Sequence, residues 1–233
     1  MRPASQSTPQ FLVLLLAALS IGAFTTQARE GFYLGAGFAS VSASGDLKGN
    51  TFVTNTAGTE AEILGSLSSG TGIALEVGYG FNRYIGIEYL GTGTRHTAST
   101  DKKVIPANDT AATVGTALFG FRLTAPVAKS FELFARFGMA SSTVMYDEYS
   151  VPGTTTGTVF TPSGKGGALT LSGAGSGYGA GFEILGEHLG FELAYTVYDV
   201  SFDRGKGVHS SGSLPKAIKE TLSAGTAIVA YHF

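Results

Sequence analysis

Eight stretches of the chain alternate apolar residues with small or polar ones at a period of two, the pattern of strands with two unlike faces. They span residues 31–40, 72–81, 84–92, 113–123, 131–141, 175–185, 189–198 and 222–233. In the second, Ile73, Leu75, Val77, Tyr79 and Phe81 share a face against Ala74, Glu76, Gly78 and Gly80. In the fifth, Phe131, Leu133, Ala135, Phe137 and Met139 oppose Phe134, Arg136, Gly138 and Ala140. The eighth is the least distinct: Val229, Tyr231 and Phe233 face one way, but Leu222, Ile228 and Ala230 face the other.

One face is apolar and aromatic throughout. The other carries Gly, small residues and isolated charges, where a soluble sandwich would show water a face of Lys, Thr and Glu. Glycine weakens a strand unless space is short, and a narrow barrel interior is such a place. The apolar face is therefore expected to meet lipid and the Gly-rich face to point inward. Connections alternate in length. Residues 82–83, 124–130 and 186–188 make short turns, whereas 41–71, 93–112, 142–174 and 199–221 make long ones. Long connections are uncommon in compact soluble domains and normal on the outer side of an outer-membrane barrel. The predicted fold is all-β: an eight-stranded antiparallel transmembrane β-barrel with short periplasmic turns and four long extracellular loops. Within the loops, Thr59-Glu60-Ala61-Glu62 fits a capping box and residues 213–220, with Pro215 near the start, fit a helical turn. The Thr-, Gly- and Ser-rich stretch 151–175 is expected to be mobile.

The N-terminus changes the picture further. Arg2 precedes an apolar run, residues 11–24, and Thr26-Gln27-Ala28 offers small residues at the positions a signal peptidase inspects. The run is shorter than the roughly 20 residues a spanning helix needs. The expected organisation is a signal peptide over 1–28 and a barrel domain over 29–233. The chain has no Cys, so no disulfide framework holds it; ring closure supplies another constraint. A net charge of −2 gives no reason to expect nucleic acid.

Three motifs then carry a resemblance. Gly31-Phe32-Tyr33-Leu34-Gly35-Ala36-Gly37 resembles the opening strand of the small outer-membrane β-barrel family (OmpA/OmpX type). Residues 78–88 (GYGFNRYIGIE) resemble its second hairpin, and Tyr231-His232-Phe233 its C-terminal signal. The resemblance implies a location in the bacterial outer membrane, and Tyr231 and Phe233 as the signal read by the barrel-assembly machinery. It implies lipid and lipopolysaccharide as surroundings, and a function drawn from anchoring, adhesion, small pores or, in a few members, lipid modification.

The inward face carries Glu76, Glu88, Arg122, Arg136, Glu183 and Glu192. Each lies a few residues from its short turn, so the hairpins gather them into one layer. Glu76 is expected near Glu88, Arg122 opposite Arg136 and beside Glu88, and Glu183 near Glu192. Buried charges persist only when paired and hydrogen-bonded, and the layer reads as a plug. A proton or cation gate is its alternative, because four carboxylates face two guanidiniums.

Other chemistry is thinner. His96, His188, His209 and His232 show no zinc spacing, and no metal or cofactor is expected. His209-Ser210-Ser211 and His96, with Asp199 or Asp203, raise a lipid hydrolase, but no motif fixes an orienting acid. Arg204, Lys206, Lys216 and Lys219 in the last loop read as a solvated mixed-charge surface rather than a phosphate or host-ligand site. The expected function is a non-enzymatic barrel whose loops meet lipopolysaccharide or a host ligand in an adhesive or protective role. A small-solute porin is the rival, and a lipid-modifying enzyme the third reading.

Overall fold

The computed structural model describes residues 30–48, 51–54, 61–99, 109–147, 149–156, 159–166, 169–206 and 211–233. In chain order the strands are β1 (Gly31–Ala43), β2 (Thr51–Thr54), β3 (Ala61–Leu64), β4 (Ser66–Leu67), β5 (Gly70–Gly80), β6 (Ile85–Ser99) and β7 (Asp109–Ala128). They continue with β8 (Phe131–Tyr146), β9 (Tyr149–Thr156), β10 (Val159–Gly166), β11 (Leu169–Leu185), β12 (Leu189–Lys206) and β13 (Ser211–His232). Eight of them form a closed ring in the order β6-β5-β1-β13-β12-β11-β8-β7, with β7 pairing back onto β6. Every pairing is antiparallel. First and last strands meet at Tyr33↔His232, which leaves the ring without an edge.

Burial follows the alternation. Phe38, Met139 and Tyr195 point outward, Phe38 being 77 % exposed, while Ala74, Leu90, Leu118 and Tyr198 point inward and are fully buried. A continuous apolar outer wall of this kind would not persist in water. Gly120 and Gly138 show why glycine recurs inside: they face each other across β7 and β8, and a Cβ on either would strike the other strand's backbone.

At the loop end the strands run well past the predicted boundaries, and the polarity inverts. Here Val114, Val144, Tyr146, Leu171, Val200 and Phe202 are buried inside, while Arg95, Thr97, Asp199 and Asp203 are exposed outside. The turn-end half is built for lipid, polar within and apolar without. The loop-end half is built for water, the reverse. An apolar outer face was the signal for a strand, so strands that had left the apolar band went unread.

Two other expectations fail for related reasons. Residues 61–64 pair with β2 as strand rather than helix, and Thr59 and Glu60 lie outside the described residues. Residues 213–220 belong to β13, and Pro215 falls where the β12–β13 register breaks, a position that needs no N–H. The stretch 151–175, expected to be mobile, contains the β9–β10 hairpin and the start of β11, with 157–158 and 167–168 outside the described residues. β10, β9, β3 and β2 form a second, four-stranded sheet that joins the first and third long connections.

The turns are tight. Asn82 Oδ1 accepts the N–H groups of Tyr84 (2.9 Å) and Ile85 (3.1 Å), which fixes the β5–β6 turn. The β7–β8 turn shrinks to Lys129-Ser130, because Pro126 is absorbed at a register shift in the ladder.

The last residue closes the ring. Phe233 donates its N–H to Phe32 O at 3.0 Å, and its ring lies 5.5 Å from Phe32 and 5.0 Å from Tyr231. Deleting Phe233 should therefore lower the yield of folded protein in the membrane, read as the fraction showing heat-modifiable gel migration. An unchanged fraction would remove any role for this residue in closure.

Candidate functional site in the barrel interior

Each of the six predicted charges comes from a different strand: Glu76 on β5, Glu88 on β6, Arg122 on β7, Arg136 on β8, Glu183 on β11 and Glu192 on β12. Their parity within the strands turns all six inward, and none is more than 6 % exposed. Register sets their neighbours. Arg122 stands directly opposite Arg136, and Glu183 opposite Glu192. Glu76 and Glu88 are diagonal, because Glu88 pairs with Gly78.

Arg122 is the hub. Its Nη1 donates to Glu76 Oε1 (3.1 Å) and Glu192 Oε2 (2.8 Å), and its Nη2 to Glu183 Oε2 (2.8 Å). Glu88 Oε2 stands 3.8 Å away. The guanidinium lies 3.9 Å from the Phe134 ring centroid and 5.6 Å from that of Tyr33, a favourable stacking for a cation. Arg136 donates through Nη2 to Glu192 Oε1 at 2.6 Å, and its Nε lies 3.0 Å from Glu88 Oε1, close in charge but out of line for a hydrogen bond. Glu192 thus bridges the two guanidiniums and offsets their repulsion. Glu76 Oε2 and Arg136 Nη1 have no protein partner.

Several members escaped the sequence reading. Tyr33 donates to Glu88 Oε2 at 3.4 Å. His232, weighed earlier as a metal ligand and as part of the C-terminal motif, stacks on Tyr33 with centroids 5.4 Å apart and bonds Glu183 Oε1 through Nε2 at 2.8 Å. Glu132 is also turned inward and buried. Their inward parity could have marked all three. What the sequence could not show is the reach along the wall: Gly78 is paired with Tyr33 on the neighbouring strand, and a Cβ there would collide with the Tyr33 ring, so glycine lets the ring pass over β5 toward Glu88 on β6.

Above the charge layer lies the apolar layer. Some of its polar groups pair locally: Thr92 and Thr116 hydroxyls meet at 2.6 Å, and His96 bonds Thr94 Oγ1 (2.7 Å) and Ser68 O (2.8 Å), whereas the Thr196 and Thr226 hydroxyls have no hydrogen-bond partner among the described residues. Among the described residues the cavity reaching the charge layer, lined in part by Tyr33, Arg122, Glu132, Glu183 and His232, holds only about 30 Å³. A larger depression, floored by Gly225 and Ala227 and walled by Phe38, Ile73 and Tyr195, lies on the outer wall.

Comparison with known proteins agrees with this architecture. The family described as outer membrane protein beta-barrel domain matches residues 11–222. No curated protein matches the chain. Among solved structures, OprG from Pseudomonas aeruginosa superposes with TM-score 0.55 at 14% identity, covering 88% of this chain and 97% of its own. Neisserial surface protein A gives 0.50 at 13%, covering 89% and 100%. The outer membrane protein AlkL gives 0.50 at 10%, covering 91% and 94%. At these identities the likeness is one of fold.

The hub makes a quantitative prediction. Arg122→Ala leaves Glu183 and Glu192 buried and underpaired, at a cost of about 3–5 kcal/mol in unfolding from detergent or lipid vesicles. Adding Glu183→Gln should recover part of that, with a coupling above about 0.5 kcal/mol. Arg95→Ala, which breaks the exposed pair with Asp147, should cost only about 0–1 kcal/mol. Equal, small effects at Arg122 and Arg95 would mean that Arg122 faces water.

Proposed function

Because the chain belongs to the outer membrane protein beta-barrel domain family, and so resides in the bacterial outer membrane, we propose that it is a sealed, non-catalytic barrel that carries a β-sheet at the cell surface. The observation that carries this reading is the filled interior, where Arg122 and Arg136 tie four carboxylates together across the lumen. Glu76, Glu88, Arg122, Arg136, Glu183 and Glu192 are the plug. Tyr231 and Phe233 are its terminal assembly signal for the barrel-assembly machinery. The sheet of β2, β3, β9 and β10 is the outward-facing part, and its role is adhesive or protective toward lipopolysaccharide or a host ligand. A hydrolase is disfavoured by the partners of its candidate groups: His96 bonds Thr94 Oγ1 and Ser68 O, and Asp199 accepts from Thr221 Oγ1 at 2.7 Å, so the two form no acid–histidine pair. His209 lies outside the described residues.

The rival is a small-solute porin gated at the same layer. The excess of carboxylate over guanidinium, with Glu76 Oε2 unpartnered, is what favours it.

Whole cells separate the two. Expressed in a host lacking its major porins, the sealed barrel should leave uptake of a small chromogenic β-lactam at background. Removing residues 149–166 should leave folded barrel in the membrane while abolishing any attachment the intact protein confers. Faster uptake by cells carrying the intact chain would replace this reading with the porin.

A further inference from the structure

One buried acid belongs to neither the charge layer nor the turns. Glu220 sits on β13 near the extracellular end and is 3 % exposed. Opposite it, the chain leaving β1 does not continue outward but bends across the mouth as a short 3-10 turn, Asp46–Lys48. Glu220 Oε1 accepts the N–H groups of Ser44 (2.7 Å), Gly45 and Thr221 (3.1 Å), and Oε2 that of Leu47 (2.7 Å). A single carboxylate thus gathers three N–H groups from residues 44–47, a concave donor set of the kind that holds an anion. Asp46 returns the contact by accepting the Lys219 N–H at 2.9 Å.

The turn delivers an apolar stopper. Leu47 is completely buried in the same cluster as Val41, Leu67, Val200, Ile218 and Leu222. The returning limb of the connection is tied in as well. Ser66 Oγ donates to Lys48 O (2.6 Å), Ser68 N–H to Thr97 O (2.9 Å), and Tyr146 Oη to Gly65 O (3.4 Å). Gly45 is required by the fit, since a Cβ there would strike Lys219 O and the Glu220 side chain.

We propose that Glu220 is the latch of an outer seal: its carboxylate holds the strap of residues 44–48 inside the mouth, with Leu47 as the stopper. The seal lies on the extracellular side of the Arg122 layer and closes independently of it. The barrel then has two barriers in series, one apolar and one ionic, and releasing the strap exposes the apolar layer to the outside while the charge layer stays shut. Glu220 here is a positioning residue that acts through the strap.

The chain has no Cys, so a single introduced thiol reports without background. In intact cells treated with a membrane-impermeant maleimide, Leu47→Cys should react about tenfold or more slowly than Lys48→Cys, whose side chain is exposed. Adding Glu220→Ala should bring Leu47→Cys to within about twofold of the exposed control, because the strap's N–H groups lose their common acceptor. Adding Gly45→Ala should have the same effect from the strap side and leaves every barrel strand untouched, which keeps the test available if Glu220→Ala fails to insert. Heat-modifiable migration verifies the barrel in each case. Adding Arg122→Ala should leave the slow reaction unchanged. The proposal is overturned if Leu47→Cys reacts as fast as Lys48→Cys in the otherwise native chain, or if neither the Glu220 nor the Gly45 variant speeds it. Its claim of independence fails if Arg122→Ala alone releases the stopper.

Discussion

An eight-stranded ring encloses a space only wide enough for the side chains of facing strands, and every inward position of this protein answers to that width. Where two strands press together, Gly120 and Gly138 leave out a side chain. Where Tyr33 must lie over the neighbouring strand, Gly78 clears its path. The remaining volume is divided between two main fillings. Near the periplasmic turns it is taken by guanidiniums, carboxylates and the rings that stack on them. Near the extracellular end it is taken by aliphatic and aromatic side chains.

The division follows the solvent outside. Within the membrane the outer wall must be apolar, and strands cannot easily present two apolar faces without losing the alternation that fixes register. Polar residues therefore go inside, and must satisfy one another there. A buried ion pair gives little net stability, but breaking one is costly. Removing Arg122 would therefore cost far more than the net stability its pairs contribute. Beyond the membrane the outer wall faces water, Arg95 and Asp147 pair on it, and the interior can become an ordinary hydrophobic core. The strap of residues 44–48 adds Leu47 to that core from above.

The same division explains what could be read from the sequence. The eight strands, their short turns and the inward placement of Glu76, Glu88, Arg122, Arg136, Glu183 and Glu192 follow from a period of two and an apolar outer face. The extracellular strand extensions did not show, because Arg95, Thr97 and Asp203 occupy outward positions where an apolar residue was sought. β13 looked ambiguous for the same reason: Leu222 and Ile228 are inward but belong to the apolar filling. Glu220 read as one charge in a polar loop, since its partners are backbone N–H groups 173 to 176 residues away. The stacking of Tyr33 on His232 depends on closure of the ring between β1 and β13, which no local pattern encodes.

A sealed interior requires that these fillings leave no continuous aqueous path. Conductance of the purified protein in planar bilayers tests it most directly. The intact chain, inserted and folded, should give no discrete current steps above the bare bilayer across a range of voltages. Reproducible stepwise ion currents from the intact chain would contradict it.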